Sequence, residues 1–361
     1  MTSLMVTPTF LLSAMFILSV TLAETEPSNH IGNSRNQSNT EDSLSENVDG
    51  QDRERICQSS DKKIVDLARS VGHFGWDMYK RMNTSGSDNF VFSPFSVYAV
   101  LAMLFPGTKG VARDELKTAL HVESSSVRQG YRCYTLTLTH EDGASVVPQV
   151  SIANRLYHRQ NFSYLSQYQN TISQFYKADV KEENTTETIN NWVKKKTQGQ
   201  ITEFLSETSI TNDTILMPIN VISCSGNWSE QFDSFLTADR PFIVNSSLTV
   251  QVETMGRTGF FRKMHHGSLS ATSLELSYTG GRFSLFVLLP DQGTSLNSLE
   301  QSLSGDVLNT TLNTTVARHL EVFGLVSLLN LPAPILSIMT SGFLTGLCVM
   351  MWVIVVFSGV G

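Results

Sequence analysis

The residues able to carry chemistry are few and scattered. His265-His266 is the one adjacent histidine pair. Neighbours on a strand point to opposite faces, so they do not converge on a metal; the pair reads as a solvated loop feature. The four cysteines form no C-x-x-C and no Cys/His cluster at zinc spacing. No metal site and no cofactor is expected. Ser, His and Asp are all present, but no G-x-S-x-G elbow is, so an esterase-type triad is not indicated and the chain reads as no enzyme. Lys194-Lys195-Lys196 reads as a solvated helix face rather than a polyanion site. Lys plus Arg total 26 against 33 Asp plus Glu, a net −7, which opposes nucleic-acid binding.

A second set of residues points to export. Asn-x-Ser/Thr occurs at Asn36, Asn83, Asn161, Asn184, Asn212, Asn227, Asn245, Asn309 and Asn313. With 78 Ser and Thr in 361 residues, 21 asparagines would give about five such triplets by chance, and nine occur. All nine are candidate N-glycosylation sites. Residues 1–23 carry no charge, and the apolar run Phe10–Val20 ends in Thr21-Leu22-Ala23. This predicts a signal peptide cut near Ala23 and a secreted, extracellular protein. Residues 24–60 are predicted to form a disordered arm. Its first part, 24–56, holds eight acids and three bases, a net −5, with almost no apolar side chains.

Beyond Glu321 no residue is charged. Ile335–Phe357 is 23 residues long and mostly apolar, enough for one membrane span, by which the chain would be tethered. No Lys or Arg follows it to set an orientation. A glycolipid-anchor signal would want a polar spacer, which 324–334 does not supply. Span, anchor signal and a tail without an evolved role are three readings of residues 324–361.

Between these ends, residues 61–323 alternate helix and strand patterns. Ile64, Leu67, Val71, Phe74 and Met78 predict a helix over 62–82. Ser93-Pro94 is an N-cap with proline at the first helical position, opening an apolar helix to Leu104. Short helices are predicted over 111–120, 165–175 and 188–197. Strands are predicted over 149–158 and 215–224. Residues 274–277 and 283–289 read as a hairpin around Tyr278-Thr-Gly-Gly281, its second strand apolar enough to be covered on both faces. The mixture indicates an α+β fold.

The order of the pieces resembles one family. Asn89–Leu104 with Gly107-Thr-Lys-Gly110 is similar to the opening of a serpin. Ile152-Ala-Asn-Arg-Leu-Tyr157 resembles the second strand of the large serpin sheet, and Ile189–Ile201 the helix lying across it. Ile219-Asn-Val-Ile222 with Gly226-Asn-Trp228 resembles the strand that ends where that sheet opens. Val250–Phe261 and Leu274–Asp291 resemble the strands that follow.

The resemblance implies a serpin-like α+β fold with N-terminal helices, a large mixed sheet A and part of a sheet B. It also implies inhibition of a serine protease as a single-use substrate, by insertion of a cleaved reactive loop into the sheet. By the same match Ser93, Ser96 and Asn220 mark where the sheet parts, and Trp228 where insertion begins. Some serpins tether their N-terminal arm by a disulfide near Cys133, which makes Cys57 its candidate partner. In His121–Pro148, where some serpins bind heparin, the only Lys or Arg residues are Arg128 and Arg132, so heparin is not expected.

Two departures matter. Residues 324–361 contain no acidic-then-small-residue hinge and no bait residue, so the domain over 61–323 is expected to lack the reactive loop and the C-terminal strands. Pro218 falls inside a strand that is internal in the family; proline removes a ladder donor and belongs at an edge. An uncovered edge there is an aggregation hazard.

Overall fold

The computed structural model describes residues 62–82, 92–122, 126–139, 149–183, 185–199, 201–211, 214–225, 227–245, 248–281, 283–291, 293–312 and 316–325. Helix α1 (Lys62–Met82) buries Ile64, Leu67, Val71 and Phe74 on one stripe, as their spacing predicts. Ser93 opens α2 (Pro94–Leu104): its hydroxyl accepts the Ser96 N–H at 3.3 Å, one of the donors a helix start leaves unpaired. Helix α2 is apolar all round because it is buried all round, except at Leu101. A turn of 3₁₀-helix at Phe105–Gly107 ends it. Helix α3 (Gly110–Ala119) follows, mostly exposed.

Helix α4 (Ser126–Thr139) was not predicted from the sequence. It crosses α1 at Gly130. A Cβ there would lie 2.1 Å from the Lys63 carbonyl oxygen, so only glycine permits this approach. The crossing brings Tyr131 flat against Phe95 of α2, centroids 5.4 Å apart and 4° from parallel, with Tyr134 edge-on to the same ring.

Strand β1 (Gln149–His158), helix α5 (Ser166–Tyr176), strand β2 (Ala178–Glu182), helix α6 (Thr186–Lys196) and strand β3 (Leu216–Ser225) complete the first sheet. Its order is β2-β1-β3, parallel on one side of β1 and antiparallel on the other, hence mixed. Pro218 lies opposite Leu156, and among the described residues β3 pairs only with β1. The proline therefore stands on an edge strand, where it is tolerated. Helix α6 covers one face through Ile189, Trp192 and Val193, which pack with Tyr157, Met217, Ile219 and Val221. The other face meets α1, α2 and α4.

The second sheet is antiparallel. It comprises β4 (Asp233–Asn245), β5 (Leu248–His266), β6 (Ala271–Ser277), β7 (Ser284–Pro290) and β8 (Val316–Leu325). The long β5 pairs with β4, β6 and β8 along different stretches. Helices α7 (Leu296–Ser302) and α8 (Gly305–Leu312) lie between β7 and β8 in the chain. Phe286 of β7 and Leu308 of α8 pack on Trp76 and Tyr79, so α1 serves both sheets.

Two expectations are corrected. Strand β7 is not covered on both faces along its length: Leu289 is 56% exposed near its end, on a strand that closes one side of the β4-β5-β6-β7 path. His265 and His266 lie not in a loop but at the end of β5, paired with Thr272 and Ala271. The His265 Nε2 atom is 2.8 Å from Asp291 Oδ2, and His266 Nε2 is 2.8 Å from Ser273 Oγ. Each is thus held separately, on opposite faces. Among the described residues no helix is long and apolar enough to cross a membrane, and 335–357 lies outside them.

Two outcomes follow from the core. Gly130→Ala should destabilise the protein by about 1–3 kcal/mol through overpacking, read from chemical unfolding curves. Burial raises the Tyr168 hydroxyl from 10.0 to about 12, and its proton is held by the bond to the Met103 carbonyl at 3.1 Å. A folded pKa raised above the unfolded one gives stability that is intact below pH 10 and declines as the pH rises toward 12. Tyr168→Phe should make that alkaline decline shallower in unfolding curves taken across this range.

Candidate functional site, the centre and end of the mixed sheet

The residues that match the sheet-opening region fall in two places. The first is mid-sheet. Asn220 of β3 is directly opposite Asn154 of β1 and both are buried. The Asn220 Nδ2 donates to Asn154 Oδ1 at 2.7 Å. The Asn154 amide in turn donates to the Tyr131 hydroxyl at 3.1 Å and to the Tyr176 carbonyl at 2.7 Å. One side chain thus links β3, β1, α4 and the end of α5. Burial pushes the Tyr131 hydroxyl far above its ordinary pKa, so it stays neutral. The Asn220 Oδ1 is buried and has no hydrogen-bond partner among the described residues.

Ser93 and Ser96 sit at the start of α2, which packs against β3. Both are buried, and the Ser93 hydroxyl donates to Ser96 Oγ at 3.1 Å. They form a hydroxyl pair on the helix, while Asn220 is held by Asn154. Asn154 was not singled out from the sequence. Its signal was present: it shares parity with Ile152 and Leu156, an amide on the inward face of an apolar strand.

The second place is the end of β3. Trp228 makes a single antiparallel bridge with Tyr278, and their rings lie 4.3 Å apart at 30°. It packs beside Phe261, Leu276 and Leu285 of the second sheet. Trp228 therefore pins the chain where it leaves one sheet for the other. Over the outer face, α6 is held by the Arg155 guanidinium, 4.6 Å from the Trp192 ring and 3.0 Å from Asp179. The loop after α6 is clamped by Asn190, which binds the Phe204 and Leu205 amides and the Leu205 carbonyl.

A cavity of about 240 Å³ lies at the far end of β3, between Tyr157, Ile189 and Met217, away from Trp228. Among the described residues no three His, Cys, Asp or Glu side chains gather as a metal site. The three lysines at the end of α6 are exposed. Cys133 is buried and disulfide-bonded; Cys57 lies outside the described residues. Asn161 and Asn227 are exposed. Asn245 stands on β4 and Asn309 on α8. Asn36, Asn83, Asn184, Asn212 and Asn313 lie outside the described residues.

A mixed sheet with a helix across it, an antiparallel sheet beside it and a tryptophan where they join can be compared with known proteins. Residues 69–333 match the family described as Serpin (serine protease inhibitor). The chain belongs to the serpin family. The match runs ten residues past Phe323, into the stretch read as tail. Serpin B9 of Homo sapiens is 33% identical over 250 residues, 67% of this chain and 66% of its own length. Serpin B6 of Macaca fascicularis is 31% identical over 249 residues, 66% and 65%. This serpin thus spans just under two thirds of the relatives it matches. The ovalbumin of the emu, Dromaius novaehollandiae, aligns at a TM-score of 0.68 with 24% identity, covering 72% of this chain and 73% of its own, which shows the shared fold.

The amide network gives a graded expectation. Asn154→Ala leaves the Tyr176 carbonyl and the Asn220 amide without their partner and should cost about 2–3 kcal/mol. Asn220→Ala should cost less, because its oxygen already lacks a partner. Equilibrium unfolding of both singles and the double should give a coupling of at least about 0.5 kcal/mol.

Proposed function

We propose that this chain is an exported serpin body which carries the opening sheet of a serine-protease inhibitor but does not by itself trap a protease covalently. The family's activity needs three parts: a sheet that gains a strand, a small-residue hinge and a bait residue. The first is supported by the outer edge of β3, unpaired among the described residues, with Asn220 at its centre and Trp228 past its end. The other two have no counterpart in residues 324–361, which hold no charged residue at all. This pairing of an open edge with an uncharged, hinge-free tail is the observation that carries the reading. The partner class is serine proteases, drawn from the family description. The export reading rests on the uncharged apolar leader and the nine sequons.

The test is to incubate the purified full chain with trypsin-like and elastase-like proteases and resolve the mixtures in SDS. No stable covalent complex should form, and the proteases should keep their activity. A band of summed mass that survives SDS would overturn the proposal.

A membrane-tethered, non-inhibitory binding role is the second reading, and the 23 apolar residues Ile335–Phe357 favour it. In that case expressed protein would need detergent for extraction; recovery from the culture medium without detergent would exclude the tether.

A further inference from the structure

Asn227 has tightly constrained surroundings. Strand β3 ends at Ser225, and two peptide steps place the Asn227 Cα within about 8 Å of the Ser225 Cα. The Asn227 side chain is exposed. Its backbone is fixed, because its carbonyl accepts the Thr279 N–H at 2.8 Å. The next two residues are fixed as well. Trp228 lies on Tyr278. The Ser229 N–H donates to the Ser277 carbonyl and the Ser229 hydroxyl to the Tyr278 carbonyl, both at 2.8 Å. The asparagine thus faces water, while the hydroxyl that completes its sequon is held by the turn between β6 and β7. Ser229 is exposed, as are Asn161 and Ser163, so what sets the Asn227 sequon apart is that its hydroxyl is bonded to the Tyr278 carbonyl.

We infer that Asn227 carries an N-linked glycan, attached before the β6–β7 hairpin closes on Ser229, and that this glycan shields the end of the β3 edge, which is unpaired among the described residues, against strand addition. The inference rests on the export reading above. A strand pairing along the outer edge of β3 as far as Ser225 would run about 4.8 Å from that residue, and the Asn227 Cα is within about 8 Å of the same residue. A bulky, hydrated glycan there competes for that space. Natural proteins block exposed sheet edges with charge, proline or cover, and β3 already carries Pro218 near its other end.

The test uses the full chain expressed in a secreting animal cell line. Peptide mass spectrometry after enzymatic glycan removal should find Asn227 occupied. Asn227→Gln should lose one glycan and show a several-fold larger oligomer fraction by size exclusion with light scattering. Ser229→Thr keeps both the sequon and the hydroxyl, and should match the parent in glycan and oligomer content. A bare Asn227 beside an occupied Asn161 would overturn the inference. So would an Asn227→Gln variant that is no more oligomeric than the parent. Bare asparagines at all nine sequons would overturn it together with the export reading.

Discussion

The arrangement depends on one buried amide. Asn154 satisfies a tyrosine hydroxyl, a helix-terminal carbonyl and a cross-strand amide at once. In this buried site, leaving any of these unpaired costs more than pairing it gains. The network therefore sets where α4 must lie, how α5 must end and which register β3 must take. Register is strict, because a slip of one residue would turn Asn220 to the opposite face and bring an apolar neighbour against Asn154. The aromatic stack of Phe95 and Tyr131 holds the same tyrosine from the other side. Polar and apolar packing thus converge on one ring.

Much of this was legible in the residues. The helix over 62–82 and the strand over 149–158 follow from apolar spacing, and the start of α2 from Ser93-Pro94. The hairpin followed from Gly280 and Gly281, both of which adopt positive φ. Helix α4 was not seen. Val127, Tyr131 and Tyr134 have helical spacing, but Gly130 sits among them as an apparent breaker, and its need appears only once α1 is laid across it. The histidine pair was misplaced because β5 continues through a polar stretch that only its partners β6 and β8 make extended. Asn154 was passed over although its inward parity was visible, because the groups it binds, at positions 131, 176 and 220, come together only in the fold.

The two sheets differ in how each is finished. The second packs one face on α1 and α8 and gathers Trp228, Met255 and Leu274 on the other. The first keeps an outer edge unpaired among the described residues and an acceptor, the Asn220 Oδ1, unanswered beneath it.

The left-handed residue Lys177, at φ 50°, ends α5 and turns the chain directly into β2. Its consequence concerns the entropy of chain closure. Tyr131, Asn154 and Tyr176 lie within 46 residues of chain, so α4, β1, α5 and β2 can close on one another through short loops. Asn220 is 66 residues beyond Asn154, and a longer closure costs more entropy. Closing the helical side of the network therefore costs less chain entropy than bringing in β3.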